Sequence, residues 1–96
     1  MLYRQRPALT VRPVPEAETC IIYCADSPRL YTLNLGAWLV FELCRGRTSG
    51  EITAAYAALT VPPLTVQQAE GQAAEGLRQL QRDRLIYEHV PAATKG

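Results

Sequence analysis

Apolar positions along the chain recur first with period two and later with period 3.6. "ALTVRPV" (Ala8–Val14) alternates apolar and polar, "TCIIYC" (Thr19–Cys24) is β-branched and aromatic, and "RLYTL" (Arg29–Leu33) alternates again, the pattern of half-buried strands. The intervening "PEAE" and "ADSP" are short turn sequences, so the three segments predict an antiparallel meander with the middle one central. Its two edges differ. Pro13 lies within the first segment and Pro15 just beyond it, which removes backbone donors and blunts that edge. Arg29–Asn34 contains neither proline nor lysine, so its edge is open to pairing.

Helical periodicity follows. Asn34 is a good N-cap for "LGAWLVFELC" (Leu35–Cys44), apolar on nearly every face except Glu42, which predicts a central buried helix with Trp38 in the core, ended by Gly46. "TSGE" (Thr48–Glu51) is a capping box opening a second helix with Ile52, Ala55, Tyr56 and Leu59 inward, stopped by "VPP" at 61–63. "TVQQ" (Thr65–Gln68) is another capping box, starting a helix to about Asp83 whose inner stripe is Val66, Ala69, Ala73, Leu77 and Leu80. "LIYEHV" (Leu85–Val90) reads as extended, the pattern leaving open whether it forms a returning strand that covers an edge, and 91–96 as a frayed tail. The expected fold is α+β, winged-helix-like, a three-stranded antiparallel sheet followed by three helices (βββααα). It forms one domain over 1–96, with its core at about 8–88.

Composition narrows the function. Ninety-six residues at 48% hydrophobic content bury roughly two-thirds of the unfolded surface, enough for one domain without staples. The formal net charge is +1, too small a field to draw in a polyanion. No stretch approaches the roughly 20 apolar residues of a membrane span, and the first residues do not read as a signal peptide. The expectation is a cytoplasmic protein with no membrane and no nucleic-acid partner. Three cysteines, Cys20, Cys24 and Cys44, agree with a reduced compartment. Cys20 and Cys24 share a strand face as small core residues. C-x-x-x-C is not a zinc spacing and the one histidine, His89, lies far along the chain, so no metal site is expected. "CIIYC" also lacks the third cysteine of a radical SAM motif.

A winged-helix shape raises DNA binding by a transcriptional regulator as the alternative function. Thr65–Leu77, the first half of the last helix, carries Glu70 and Glu75 and no Lys or Arg, so carboxylates would face phosphates. Arg78, Arg82 and Arg84 gather at the other end, where they complement the helix dipole. Catalysis has less support. No G-x-S-x-G, P-loop or dinucleotide fingerprint is present, and Glu42 and Glu51 read as a solvated helix residue and a capping partner. No enzymatic role and no cofactor are expected.

The order and spacing of these pieces resemble a known family. Leu33 and Asn34 close a strand. Trp38, Leu39 and Leu43 follow on a helix, then Gly46, Thr48, Glu51 and Ile52. Leu77, Leu80, Leu85 and Ile86 close the last helix as L-x-x-L-x-x-x-x-L-I. From about Ala8 to Glu88 the chain is similar to the PqqD-like proteins, also called RiPP recognition elements, with Arg45 where the family often has an acidic residue. The resemblance implies a peptide chaperone of ribosomal peptide natural product biosynthesis. Such a protein binds the leader of a precursor peptide and presents it to a modifying enzyme such as a radical SAM enzyme, a cyclase or a protease. It also implies that the leader adds as a strand to the third segment and lies against the third helix. The site residues would then be Arg29, Leu30, Tyr31, Thr32 and Leu33 on the strand, and Ala69, Gln72, Ala73, Gly76, Leu77 and Leu80 on the helix, where small residues leave room.

Overall fold

The computed structural model describes residues 1–25, 28–60 and 64–90. The "VPP" helix stop, part of the "ADSP" turn and the expected frayed tail lie outside the described residues. Six strands and three α-helices follow in the order β1 (Leu2–Gln5), β2 (Leu9–Val14), β3 (Thr19–Cys24), β4 (Arg29–Asn34), α1 (Leu35–Leu43), β5 (Arg45–Arg47), α2 (Ser49–Leu59), α3 (Val66–Arg82) and β6 (Ile86–His89). The α+β class holds, but the order is not βββααα. Instead there are two three-stranded antiparallel sheets, β2-β3-β4 and β5-β1-β6.

The first sheet is the expected meander, with β3 central and its partners in register from Thr19↔Asn34 to Cys24↔Arg29. Period two decides its faces. Cys20, Ile22 and Leu33 are fully buried on the side toward the helices, while Tyr23 and Leu30 on the other side are exposed. Pro13 sits in β2, the edge away from β4, opposite Cys20.

The second sheet corrects two expectations and decides a third point. The residues before Ala8, left outside the expected core, form β1, and Tyr3 packs against the buried cluster. Gly46 does not end α1, because the helix stops at Leu43 with Cys44 as its C-cap. Gly46 lies in β5 with φ +79°, between Arg45 and Arg47, which pair with the adjacent Arg4 and Tyr3. It is the extra residue of a bulge, in a backbone region that glycine adopts without strain. The returning strand forms as β6 and covers an edge of β1, from Leu2↔His89 to Gln5↔Ile86, while β4 is left alone.

Local chemistry sets the helix starts. The Asn34 side chain accepts the Ala37 N–H at 2.8 Å, and Thr48 and Thr65 form reciprocal capping boxes with Glu51 and Gln68. These satisfy donors that helix geometry leaves orphaned. Ile52 and Tyr56 of α2 are buried as expected, whereas Leu59 (56% exposed) and Val66 (69% exposed) fall off the inner stripes. Helix α1 is central but not buried all round. Ala37, Val40, Phe41 and Leu43 are inside, Trp38 and Leu39 are half-buried and Leu35 is exposed, so Trp38 lies at the rim of the core.

Candidate functional site

Strand β4 carries one half of the expected site. Among the described residues it pairs with β3 alone, so its outer row of backbone donors and acceptors has no partner strand. Arg29 and Tyr31 project to the helix side with Leu33, which is fully buried, while Leu30 and Thr32 project to the opposite, exposed side. The edge expected from the missing proline and lysine is therefore available.

The other half needs correction. Ala69, Ala73 and Leu80 are fully buried and Leu77 is 5% exposed, and α3 packs on α1 and α2. The stripe was expected to face the sheet and leave room for a ligand, but α1 occupies that room. A Cβ on Gly76 would stand 2.9 Å from Val40 Cγ2 and 3.2 Å from Val40 Cβ, so glycine is required there for the two helices to approach. Ala69, Ala73, Gly76, Leu77 and Leu80 thus form the seam between helices, Gln72 is the exposed member of the expected helix set, and Gly76 also lines a pocket with it.

What α3 offers to solvent beside β4 is the polar face next to that seam. Gln72, Glu75 and Gln79 line a pocket with Asn34 and Gly36 at the start of α1 and Tyr56 of α2. There the Tyr56 hydroxyl donates to Gln72 Oε1 at 2.7 Å. One turn further, Arg82 and Asp83 line a second pocket with Arg29 and Tyr31 of β4, Cys24 of β3, and Arg6 and Arg84 from connections. The two pockets follow one face of α3, since 72, 75, 79 and 82 recur at helical spacing. Asn34 at one end of β4 lines the first pocket and Arg29 at the other end lines the second, so we take the two pockets and the β4 edge between them as one candidate groove. Sequence reading missed this face. Its signal is the polar series Gln72, Glu75, Gln79, Arg82 flanking the buried stripe.

The thiols differ in access. Burial pushes Cys44 from 9.0 up to about 12, against the opposing pull of Arg47, and burial followed by the charge of Glu42 raises Cys20. Cys24 is partly exposed beside the groove. Among the described residues no three His, Cys, Asp or Glu side chains form a metal-binding group. Alkylation by iodoacetamide at pH 8 is expected to modify Cys24 in the native protein and Cys20 and Cys44 only after denaturation, read by mass spectrometry. Equal rates at all three would remove this account. Because the folded state holds the Cys44 proton more tightly than the unfolded chain, its contribution to stability is complete below pH 9. It is lost as pH rises toward 12, so the melting temperature should fall across that range.

No protein-family model matches the chain, and neither does any curated protein sequence. Among solved structures, TbiB1 in complex with the TbiA(beta) leader peptide is similar, at 15% identity and a TM-score of 0.71, over 91% of this chain and 98% of that one. That likeness shows a shared fold.

Proposed function

We propose that the domain is a leader-binding module. An extended segment of a ribosomally made precursor peptide adds as a strand to β4, lies along the exposed face of α3, and is presented to a modifying enzyme such as a radical SAM enzyme, a cyclase or a protease. The observation that carries this reading is the unpaired edge of β4 beside the groove. Two further observations support it: the resemblance of the sequence to RiPP recognition elements, and the likeness of fold to a protein solved with a leader peptide. Strand addition suits an unfolded partner, because main-chain bonds supply sequence-tolerant affinity and alternate side chains supply selectivity. Micromolar affinity, roughly −8 kcal/mol, is the expected scale, and tethering raises the local concentration of the core peptide at the enzyme.

The role is binding and not catalysis. His89 is in β6, paired with Leu2, so the groove has Cys24 as a nucleophile but no histidine beside it. The test is an amide chemical-shift titration of the labelled protein with a precursor peptide encoded beside its gene. Shifts should concentrate on Arg29–Asn34 and on Gln72, Glu75, Gln79 and Arg82. Shifts confined to the outer α2–α3 face, around Thr53 and Ala74, would overturn the reading.

A further inference from the structure

Four arginines line the pocket at one end of the groove. Arg6 lies between β1 and β2, Arg29 begins β4, Arg82 ends α3 and Arg84 follows it, and all four line one pocket. Among the described residues Asp83 is the one carboxylate lining it, with its Oδ1 3.9 Å from Arg82 Nε. Counted over the described residues, four positive groups against one negative leave a local surplus of three, in a chain whose formal net charge is +1. The dipole of α3 accounts for a cation at Arg82. It does not account for Arg6 and Arg29, which arrive from the strands.

Arg84 adds an independent observation. Its N–H donates to the Gln81 carbonyl at 3.0 Å and that of Leu85 to the Leu80 carbonyl at 2.9 Å, the bond pair of a Schellman helix end, in which glycine is the usual residue at the left-handed position. Here that position is held by Arg84, at φ +59°. Glycine would hold this position without strain, as it would at Ala8 and Glu18, which share the region; at 84 the residue present is an arginine whose side chain lines the pocket.

We infer that the pocket is a subsite for a carboxylate side chain, aspartate or glutamate, of the added peptide; the inference rests on the strand addition proposed above. Residues directly opposite each other in a sheet project to the same face. The peptide residue opposite Arg29 therefore points with Arg29 toward Arg82 and Arg84, where planar guanidinium forks fit a carboxylate in bidentate fashion. Two residues along the peptide, about 7 Å away, the next side chain on this face meets Tyr31, which packs against the core cluster and favours an apolar partner. The ligand class is thus an extended segment with an acidic and an apolar residue two apart. Nucleic-acid phosphate fits less well, because Glu75 lines the same groove one pocket along.

The experiment selects a displayed library of random 12-residue peptides on the whole folded protein and titrates synthetic copies of the enriched peptides. Enriched peptides should carry an acidic residue two positions from an aliphatic or aromatic one, and changing that acid to its amide should weaken binding at least tenfold. Arg84→Gly should raise the melting temperature while losing affinity by a similar factor, and Arg29→Glu should stay folded and prefer a lysine in place of the acid. Enriched peptides without an acidic preference, or with affinities unchanged in both variants, would overturn the subsite and leave strand addition standing. Failure to enrich any peptide, or equal binding to proline variants of the β4 edge, would overturn both. Salt-sensitive binding of duplex DNA that Arg29→Glu abolishes would assign the arginines to phosphate.

Discussion

Ala73→Phe is expected to unfold the domain. The side chain at 73 is fully buried in the seam of α3 with α1 and α2, so a phenyl ring has no space to enter and no route out along a helix held on two sides. Overpacking a well-filled core costs about 1–3 kcal/mol per modest insertion and more for a ring. The whole stability of a domain this size is on the order of 5–10 kcal/mol. Circular dichroism and thermal melting would show the loss, and Ala74→Phe, exposed one residue further on, is the control that should keep a native melt. The seam allows a finer test at Gly76. Gly76→Ala places a methyl 2.9 Å from Val40 Cγ2 and should destabilise by about 1–3 kcal/mol despite alanine's better helix propensity. Val40→Ala makes room for that methyl, so the double variant should be more stable than the sum of the single changes implies. A well-folded Ala73→Phe protein would mean that α3 does not use this face for packing.

Proline substitution along β4 is expected to separate folding from binding. Adjacent N–H groups in a strand point to opposite sides, so of Tyr31 and Thr32 one donates to β3 and the other toward the open edge. Proline removes that donor and fixes φ. At the inward position it should break the β2-β3-β4 sheet. At the outward position the chain should melt nearly as the parent does and lose most of its peptide affinity, on the order of tenfold or more, since the ladder bond is lost and the ring crowds the added strand. Both variants are made, the folded one is identified by thermal melting, and it is titrated with precursor peptide. Parental affinity in that folded variant would show that the peptide is not held along this edge.

What the chain reveals of itself divides along local and non-local chemistry. Thr48, Thr65 and Asn34 act within one helical turn, and all three capping interactions are legible from residue type and spacing. Alternation over Thr19–Cys24 likewise determines which side chains face inward. Strands β1 and β5 have no such signature. "LYRQ" is too short to alternate convincingly and "RGR" has no apolar residue, and both are strands because each finds the other across some forty residues. For α3, periodicity identifies the buried stripe but is blind to what covers it. Ala69, Ala73 and Gly76 signal close approach in either case, and the approaching element is α1. The edge of β4 was visible as an absence of blunting residues, whereas the arginine pocket draws on four positions from Arg6 to Arg84 that only the folded chain gathers.

The pairing of β1 with β6 carries a consequence for how the chain acquires its structure. Leu2 lies opposite His89, so β1 gains that neighbour only after all the elements between them have been synthesised. The β2-β3-β4 meander needs only Leu9–Asn34, a set of short-range hairpin closures of the kind that form early. During translation the open edge of β4 is therefore complete while β1 is still unpaired, and a nascent chain at this stage presents an unpaired strand before its second sheet can close. Open edges on incompletely folded chains template association with one another. A peptide ligand present during synthesis would occupy that edge first, so co-expression with its partner should raise soluble yield by a route separate from equilibrium stability.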